Sequence, residues 1–143
     1  MSALWDRTPL PAEHAVAMTA GLLLHARTHT RLPVGFAPAG WVVLAAGLGL
    51  NLWAVRARGA GAIDAPDRLV TGGPYALTRN PMYVGWTLLH LGAGLTARSP
   101  WLLAAWPPAA ALVHRAVLRE ERQLAAQFGD EQADYARRVP RYW

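Results

Sequence analysis

Two groups of residues hold most of the reactive potential of this chain. The first is an acidic pair, Glu120-Glu121, set among Arg115, Arg119 and Arg122. The second is Asn80-Pro81, a helix start with Asn as cap and Pro in the first turn. A helix start offers free N–H groups and partial positive charge, which suit a carboxylate. A glutamate suits a cation, or takes up a proton. At about 1.5 Å per residue, 80–97 rises about 27 Å and 99–118 descends about 30 Å. Asn80 and Glu120 therefore return to one depth. Acid and helix start facing each other form a site for a zwitterion, and the same spacing also describes a helix cap beside surface ion pairs.

Histidine and tyrosine supply further candidates. His25 and His29 have the i, i+4 spacing of metal ligands. With no third ligand in reach they read as interfacial polar residues, and no metal site is expected. His90 lies in an apolar stretch and reads as a hydrogen-bonding residue across a helix bundle. His114 lies near enough to Glu120 to support it. Tyr75 and Tyr83 lie where tyrosine commonly anchors a membrane interface, as does Trp143 at the terminus.

These residues are carried by long uncharged stretches. The 143 residues are enough for one compact domain, and only 16% are charged where a soluble domain carries about 25%. The gaps between charged residues run over 14–26, 32–55, 80–97 and 99–114, or 13, 24, 18 and 16 residues. Crossing a bilayer core of about 30 Å takes about 20 apolar residues. The second gap meets this outright, and the third and fourth do so if flanking arginines snorkel. The first, with His14, His25 and Arg27, is marginal. Its acidic flank, Asp6 and Glu13, argues against a cleaved signal peptide. The expected fold is all-α: a polytopic transmembrane helix bundle of about four spans, at 12–30, 34–55, 81–97 and 100–118, with a tail at 119–143. Three spans plus an interfacial first helix is the fallback.

All 14 basic residues are arginine, and there is no cysteine, which excludes disulfides, zinc–thiolate sites, iron–sulfur clusters and thiol catalysis. Four spans put eleven arginines on one side and only Arg27, Arg31 and Arg98 on the other. The arginine-rich side, with both termini and the 56–80 loop, is expected to be cytoplasmic. The net charge of +5 is thus explained by topology and anionic headgroups, without nucleic acid. Seven tryptophans fit the same membrane setting, while a mean hydropathy of only +0.13 leaves room for a sizeable polar part. Gly/Pro-rich stretches at 32–40 and 59–74 mark a short turn and a longer loop, and Ser99-Pro100 opens the last span. Pro107-Pro108 is expected to kink that span. The helix then continues to Phe128, Gly129 ends it, Asp130 caps a last short helix, and Pro140 stops that one.

The stretch Leu69-Val-Thr-Gly-Gly-Pro-Tyr-Ala-Leu-Thr-Arg-Asn-Pro-Met-Tyr-Val-Gly-Trp86, then Glu120-Glu121, Phe128-Gly129, Tyr135 and Arg138-Val-Pro-Arg141, resembles the isoprenylcysteine carboxyl methyltransferase and phospholipid methyltransferase superfamily. The likeness covers the C-terminal half, from Arg68 on. It implies an integral membrane enzyme, in a bacterial cell membrane, that transfers a methyl group from S-adenosyl-L-methionine to a lipophilic acceptor. It also implies a cofactor pocket formed by the 56–80 loop, the last helical hairpin and the C-terminal helices. By position the cofactor-lining residues fall on Asp67, Arg68, Leu69, Val70, Tyr75, Asn80, Pro81, Met82 and Tyr83, with Glu120 and Glu121 near substrate and cofactor. Arg79 or Arg138 is expected to assist at the cofactor carboxylate. The carboxyl methyltransferases usually have His where this chain has Asn80, which cannot take up a proton. A family arginine falls on Ala116, so Arg115 or Arg119 is expected to replace it beside Glu120.

Such a displacement at a sulfonium needs alignment and exclusion of water. A carboxylate acceptor needs no base, whereas an ammonium or hydroxyl must lose a proton, and Glu120 is the candidate to take it. Gly92-Ala-Gly94, inside a span, reads as close packing and not as a dinucleotide-binding turn. Two rival functions remain: an NADPH-dependent membrane reductase related to sterol reductases, and a non-catalytic four-span protein. The methyl acceptor is open among an isoprenoid or lipid carboxylate, amine or hydroxyl.

Overall fold

The computed structural model describes residues 11–59 and 68–143. Five α-helices account for most of them: α1 Ala12–Thr28, α2 Phe36–Arg58, α3 Pro81–Thr96, α4 Pro100–Phe128 and α5 Asp130–Arg138. Among the described residues a single 3-10 turn, Gly73–Ala76, precedes α3, and no strand occurs. Pairing of α2 with α3 and of α1 with α4 builds the bundle, and α3 and α4 form the hairpin that joins the two pairs.

The α2–α3 seam depends on residues without side chains. A Cβ on Gly47 would lie 2.8 Å from the Gly85 carbonyl, and one on Gly92 would lie 2.7 Å from the Leu44 backbone nitrogen. At Gly40 it would collide with the backbone of Thr96. Backbones this close gain dispersion contacts along their length, which is how helices associate in lipid. Gly94 performs the same service toward Leu103 of α4. The close packing expected of Gly92 and Gly94 is therefore present, against two different partners.

A histidine pair ties the two halves together. His14 of α1 lies buried with Nδ1 2.9 Å from Nδ1 of His90, whose Nε2 is 3.0 Å from the Leu102 carbonyl. A carbonyl only accepts, so a neutral His90 carries its proton on Nε2 and accepts from His14 at Nδ1. His90 is the cross-bundle residue that its apolar setting suggests.

Helix ends follow local chemistry in one case and depart from it in another. The Ser99 hydroxyl accepts from the Leu102 N–H at 3.2 Å, with Pro100 in the first turn of α4. Asn80 stands at the cap position of α3, yet its side chain makes no capping bond. Its amide donates instead to the Arg141 carbonyl at 3.1 Å, because the C-terminal tail lies against it. Gly129, at φ +50°, ends α4 and itself precedes α5, so Asp130 is the first residue of that helix and not its cap. Pro107 and Pro108 remove two N–H donors, but α4 stays helical through both.

Among the described residues, only α2 and α4, of 23 and 29 residues, are long and apolar enough to cross a bilayer. With 17 residues α1 falls short, and α3 with 16 extends only about 24 Å. Four packed helices are thus present where four spans were expected, and two of them meet the length. Pro81 fixes the start of α3, and the turn at Ala97-Arg98, with Arg98 at φ 54°, fixes its end. Large apolar side chains remain exposed on α2, Trp41 and Val42 at 65% and 70%, as lipid contact requires.

The seam yields a direct test with one substitution at two sites. Gly→Ala in an exposed helix interior adds up to about 1 kcal/mol of stability. Gly49→Ala meets open space and should gain that much. Gly47→Ala meets the Gly85 backbone and should cost about 1–3 kcal/mol. Thermal unfolding in detergent measures both.

Candidate functional site

Neighbouring residues on a helix point about 100° apart, so Glu120 and Glu121 face different partners. Glu120 points into the bundle with Val113 and Val117. The Tyr83 hydroxyl donates to its Oε2 at 3.3 Å, and Arg58, the last residue of α2, lies 3.7 Å from Oε1. The Glu120 side chain nevertheless remains 33% exposed. Arg58 also reaches the Met82 sulfur at 3.8 Å. Glu13, in the first turn of α1, is close enough to Tyr83 to act on it electrostatically. Three helices thus bring an acid, a phenol and a guanidinium together, and a second acid comes from the fourth.

Glu121 is fully engaged elsewhere. Arg141 holds it with Nε at 3.1 and 3.0 Å from the two carboxylate oxygens and Nη2 at 2.9 Å from Oε2. Arg79 adds a contact of 2.9 Å to Oε1. Bidentate pairs of this kind are strong and directional. The Glu121 carboxylate holds the Arg141 guanidinium above its usual pKa.

The C-terminal tail is stitched to the turn before α3. Thr78 Oγ1 and Asn80 Nδ2 both donate to the Arg141 carbonyl, at 2.9 and 3.1 Å, and the Arg79 N–H donates to the Pro140 carbonyl at 2.9 Å. His114 Nδ1 lies 2.8 Å from the Tyr142 hydroxyl. Behind these bonds Ala54, Tyr75, Met82, Tyr135 and Val139 form a small core, and Leu69 and Val70 pack against it. The Tyr135 hydroxyl donates to the Tyr75 carbonyl at 2.7 Å. Burial pushes the Tyr135 phenol up to about 12, with Tyr75 adding to it and Arg79 opposing. Burial raises the Tyr75 phenol as well, against the pull of the Arg58 cation.

Of the residues singled out in the sequence, Tyr75, Arg79, Asn80, Pro81, Met82, Tyr83, Glu120 and Glu121 come together here, with Leu69 and Val70 at the edge. Arg68 is exposed, and Asp67 lies outside the described residues. Arg115 and Arg119 are exposed on the face of α4 opposite Val113 and Val117, so neither is the cation at Glu120. That cation is Arg58. Arg138 is exposed and reaches the Asp134 carbonyl at 3.4 Å, while Arg141, three residues on, enters the site. Arg58 had a signal in the sequence: it continues the stripe Gly40, Gly47, Asn51, Ala54 that faces α3. His25 and His29 join no group of three or more potential metal ligands among the described residues. A cleft of about 320 Å³ opens between α4 and α5, beyond Glu121.

A family model described as phospholipid methyltransferase matches residues 36–131, from the start of α2 into α5. Two curated proteins are similar over part of the chain. The cobalt-zinc-cadmium resistance protein CzcN of Cupriavidus metallidurans is 43% identical over 77 residues, which is 54% of this chain and 36% of that protein. The nickel-cobalt-cadmium resistance protein NccN of Alcaligenes xylosoxydans xylosoxydans is 40% identical over 75 residues, 52% of this chain and 35% of that protein. The chain therefore matches about a third of the length of these relatives.

Two measurements check this geometry. Arg141→Ala removes a charge-assisted pair and should cost about 2 kcal/mol of stability, whereas Arg138→Ala on the exposed face should stay within about 0.5 kcal/mol. A phenol whose folded pKa is raised stabilises the protein fully below its ordinary value of about 10, and loses that contribution as pH rises through about 12. Melting temperatures should therefore fall between those two pH values, and fall less steeply in Tyr135→Phe.

Proposed function

The chain belongs to the phospholipid methyltransferase family, and on that premise we propose that it transfers a methyl group from S-adenosyl-L-methionine to a lipophilic acceptor held in the membrane. The observation that carries this reading is the division of labour within the acidic pair. Glu121 is spent on Arg79 and Arg141, while Glu120 keeps a partly exposed carboxylate, with a long ion pair to Arg58 at 3.7 Å and one hydrogen bond from Tyr83.

The surroundings of Glu120 fit a zwitterionic amino-acid group. Asn80 is turned to the tail, so its side chain does not cap α3. The first N–H groups of that helix, at Met82 and Tyr83, are left for a carboxylate. Glu120 holds the matching ammonium or a hydroxyl, and Tyr83 fixes the carboxylate's position through its 3.3 Å hydrogen bond. Tyr75, Met82, Leu69 and Val70 supply an apolar wall. When bound, S-adenosylmethionine supplies a methyl group activated by a positively charged sulfur.

The residues of the chain then have three tasks. The glycine seam and the tail hold donor and acceptor sites in register, which lowers the entropic part of the barrier. The small core at Tyr75, Met82 and Tyr135 excludes water. Glu120 takes the proton of an ammonium or hydroxyl acceptor, and Arg58 offsets its charge until then. A carboxylate acceptor asks for alignment alone. The acceptor reaches the site from the bilayer, at the end of the bundle where the arginines cluster, which we place on the cytoplasmic side.

Ligand-dependent unfolding tests the reading. At a hundred times its dissociation constant, S-adenosylmethionine or S-adenosylhomocysteine should stabilise the detergent-purified protein by about 2.7 kcal/mol. Glu120→Ala should abolish this shift, and Tyr83→Phe should reduce it. A shift with NADPH alone would replace methyl transfer with a reductase activity.

A further inference from the structure

The cleft between α4 and α5 belongs to a different face of the molecule. Its α4 wall is Leu118, Glu121, Arg122 and Ala125, so neither Glu120 nor Tyr83 lines it. We propose that this cleft is a binding site for a phosphate group, carried by an anionic lipid headgroup or free in solution, separate from the Glu120 site and independent of methyl transfer.

Charge is the first argument. Arg79, Arg122 and Arg141 line the cleft against a single carboxylate, Glu121, which leaves two positive charges in excess. The acids in the first turn of α5, Asp130 and Glu131, are exposed and outside the lining. Glu121 fixes the Arg79 and Arg141 forks at 2.9 Å and so preorganises both. It does not use up their donors, since the buried Arg79 Nε has no hydrogen-bond partner. Arg122 forms no ion pair among the described residues and is free to close on an incoming anion.

Gln132 is the second and independent argument. It lines the cleft from α5, is only 4% exposed, and its side-chain oxygen is buried with no partner. Leaving such a group unsatisfied is costly, because it has given up its water without a replacement. The oxygen and nitrogen of a side-chain amide are told apart only by their bonds, so an orientation that leaves the oxygen without one is open to reversal. Turned over, it presents an N–H₂ donor to an anion. A buried amide in a basic cleft is satisfied by a ligand rich in acceptors.

Phosphate fits better than a carboxylate. Its tetrahedral oxygens accept from several directions, matching guanidiniums that come from three separate elements: the turn before α3, α4 and the tail. The rest of the wall is small and apolar, with Ala125, Ala133 and Ala136. The cleft lies at the arginine-rich end of the bundle, where lipid phosphates lie.

The test uses the full chain in a neutral maltoside detergent at constant ionic strength. Inorganic phosphate is titrated by calorimetry, and micelles doped with phosphatidylglycerol are compared with micelles doped with oleate, an anion without phosphate. Binding of inorganic phosphate to the cleft, or of phosphatidylglycerol well above oleate, supports the proposal, and which of the two binds identifies the source. In either case Arg122→Gln should weaken binding at least tenfold, and Glu120→Ala and saturating S-adenosylhomocysteine should leave it unchanged. Failure of both phosphate ligands, equal binding of oleate, or an unaltered affinity in Arg122→Gln overturns the proposal. So does displacement by S-adenosylhomocysteine, which would assign the cleft to the nucleoside ligand. Glu120→Ala separates the two readings, since it removes the nucleoside response and spares the phosphate response only if the sites are distinct.

Discussion

Two guanidiniums closing on the Glu121 carboxylate hold together the functional end of this protein. One comes from the turn that opens α3, the other from the tail, and the acid itself is about three-quarters of the way along α4. A half-buried carboxylate with one partner would be a net burden, because desolvation exceeds what a single pair returns. With two partners and a bidentate geometry the balance changes. The arrangement fixes the position of α3 relative to α4, and with it the separation of Tyr83 and Glu120. The neighbouring acid is thereby left with room for a ligand.

The glycine seam performs the matching task on the other side. Because α2 lies against α3 with almost no side chain between them, the end of α2 arrives beside the start of α3. Arg58 then reaches Glu120 and Met82 across a gap that bulkier helices could not close. Packing deep in the bundle thus determines which cation the reactive carboxylate meets. The first helix is joined differently, through the His14–His90 contact, and it lies outside the region matched by the family model. Glu13, one residue before that contact, adds a negative charge near Tyr83 that the matched region does not contain.

Much of this is legible in the sequence itself, for a physical reason. Helix boundaries here are written in local chemistry: Pro81, Ser99-Pro100, Gly129 and Pro140 each act on their own few residues. The hairpin arithmetic that brings residue 80 to the depth of residue 120 needs only the rise per residue. Partner choice was not legible. Arg115 and Arg119 were natural neighbours for Glu120 by sequence distance, but rotation about the helix axis turns them outward. Arg138 lost its place to Arg141 by the same rule on α5, since only the residue beyond the helix end can fold back. Asn80 has the chemistry of a cap and spends it on a carbonyl 61 residues away, which no local rule anticipates. Span counting overreached at α3, whose uncharged gap includes turn residues that do not extend the helix, and at α1, whose 17 helical residues fall short of a span.

The tail that stitches Thr78, Arg79 and Asn80 into place follows every helix in chain order. Its bonds to that turn close loops of about sixty residues, a separation at which the entropic penalty of ring closure grows only slowly, as the logarithm of length. Little is therefore lost by deferring that closure to the end. The bundle can pair α2 with α3 and α1 with α4 from nearer contacts, while the acidic end stays open and hydrated. Docking of Pro140 and Arg141 then converts an open end into a lined pocket. Competence in this fold is thus decided by the short segment that follows α5, and not by the helices that pair with one another.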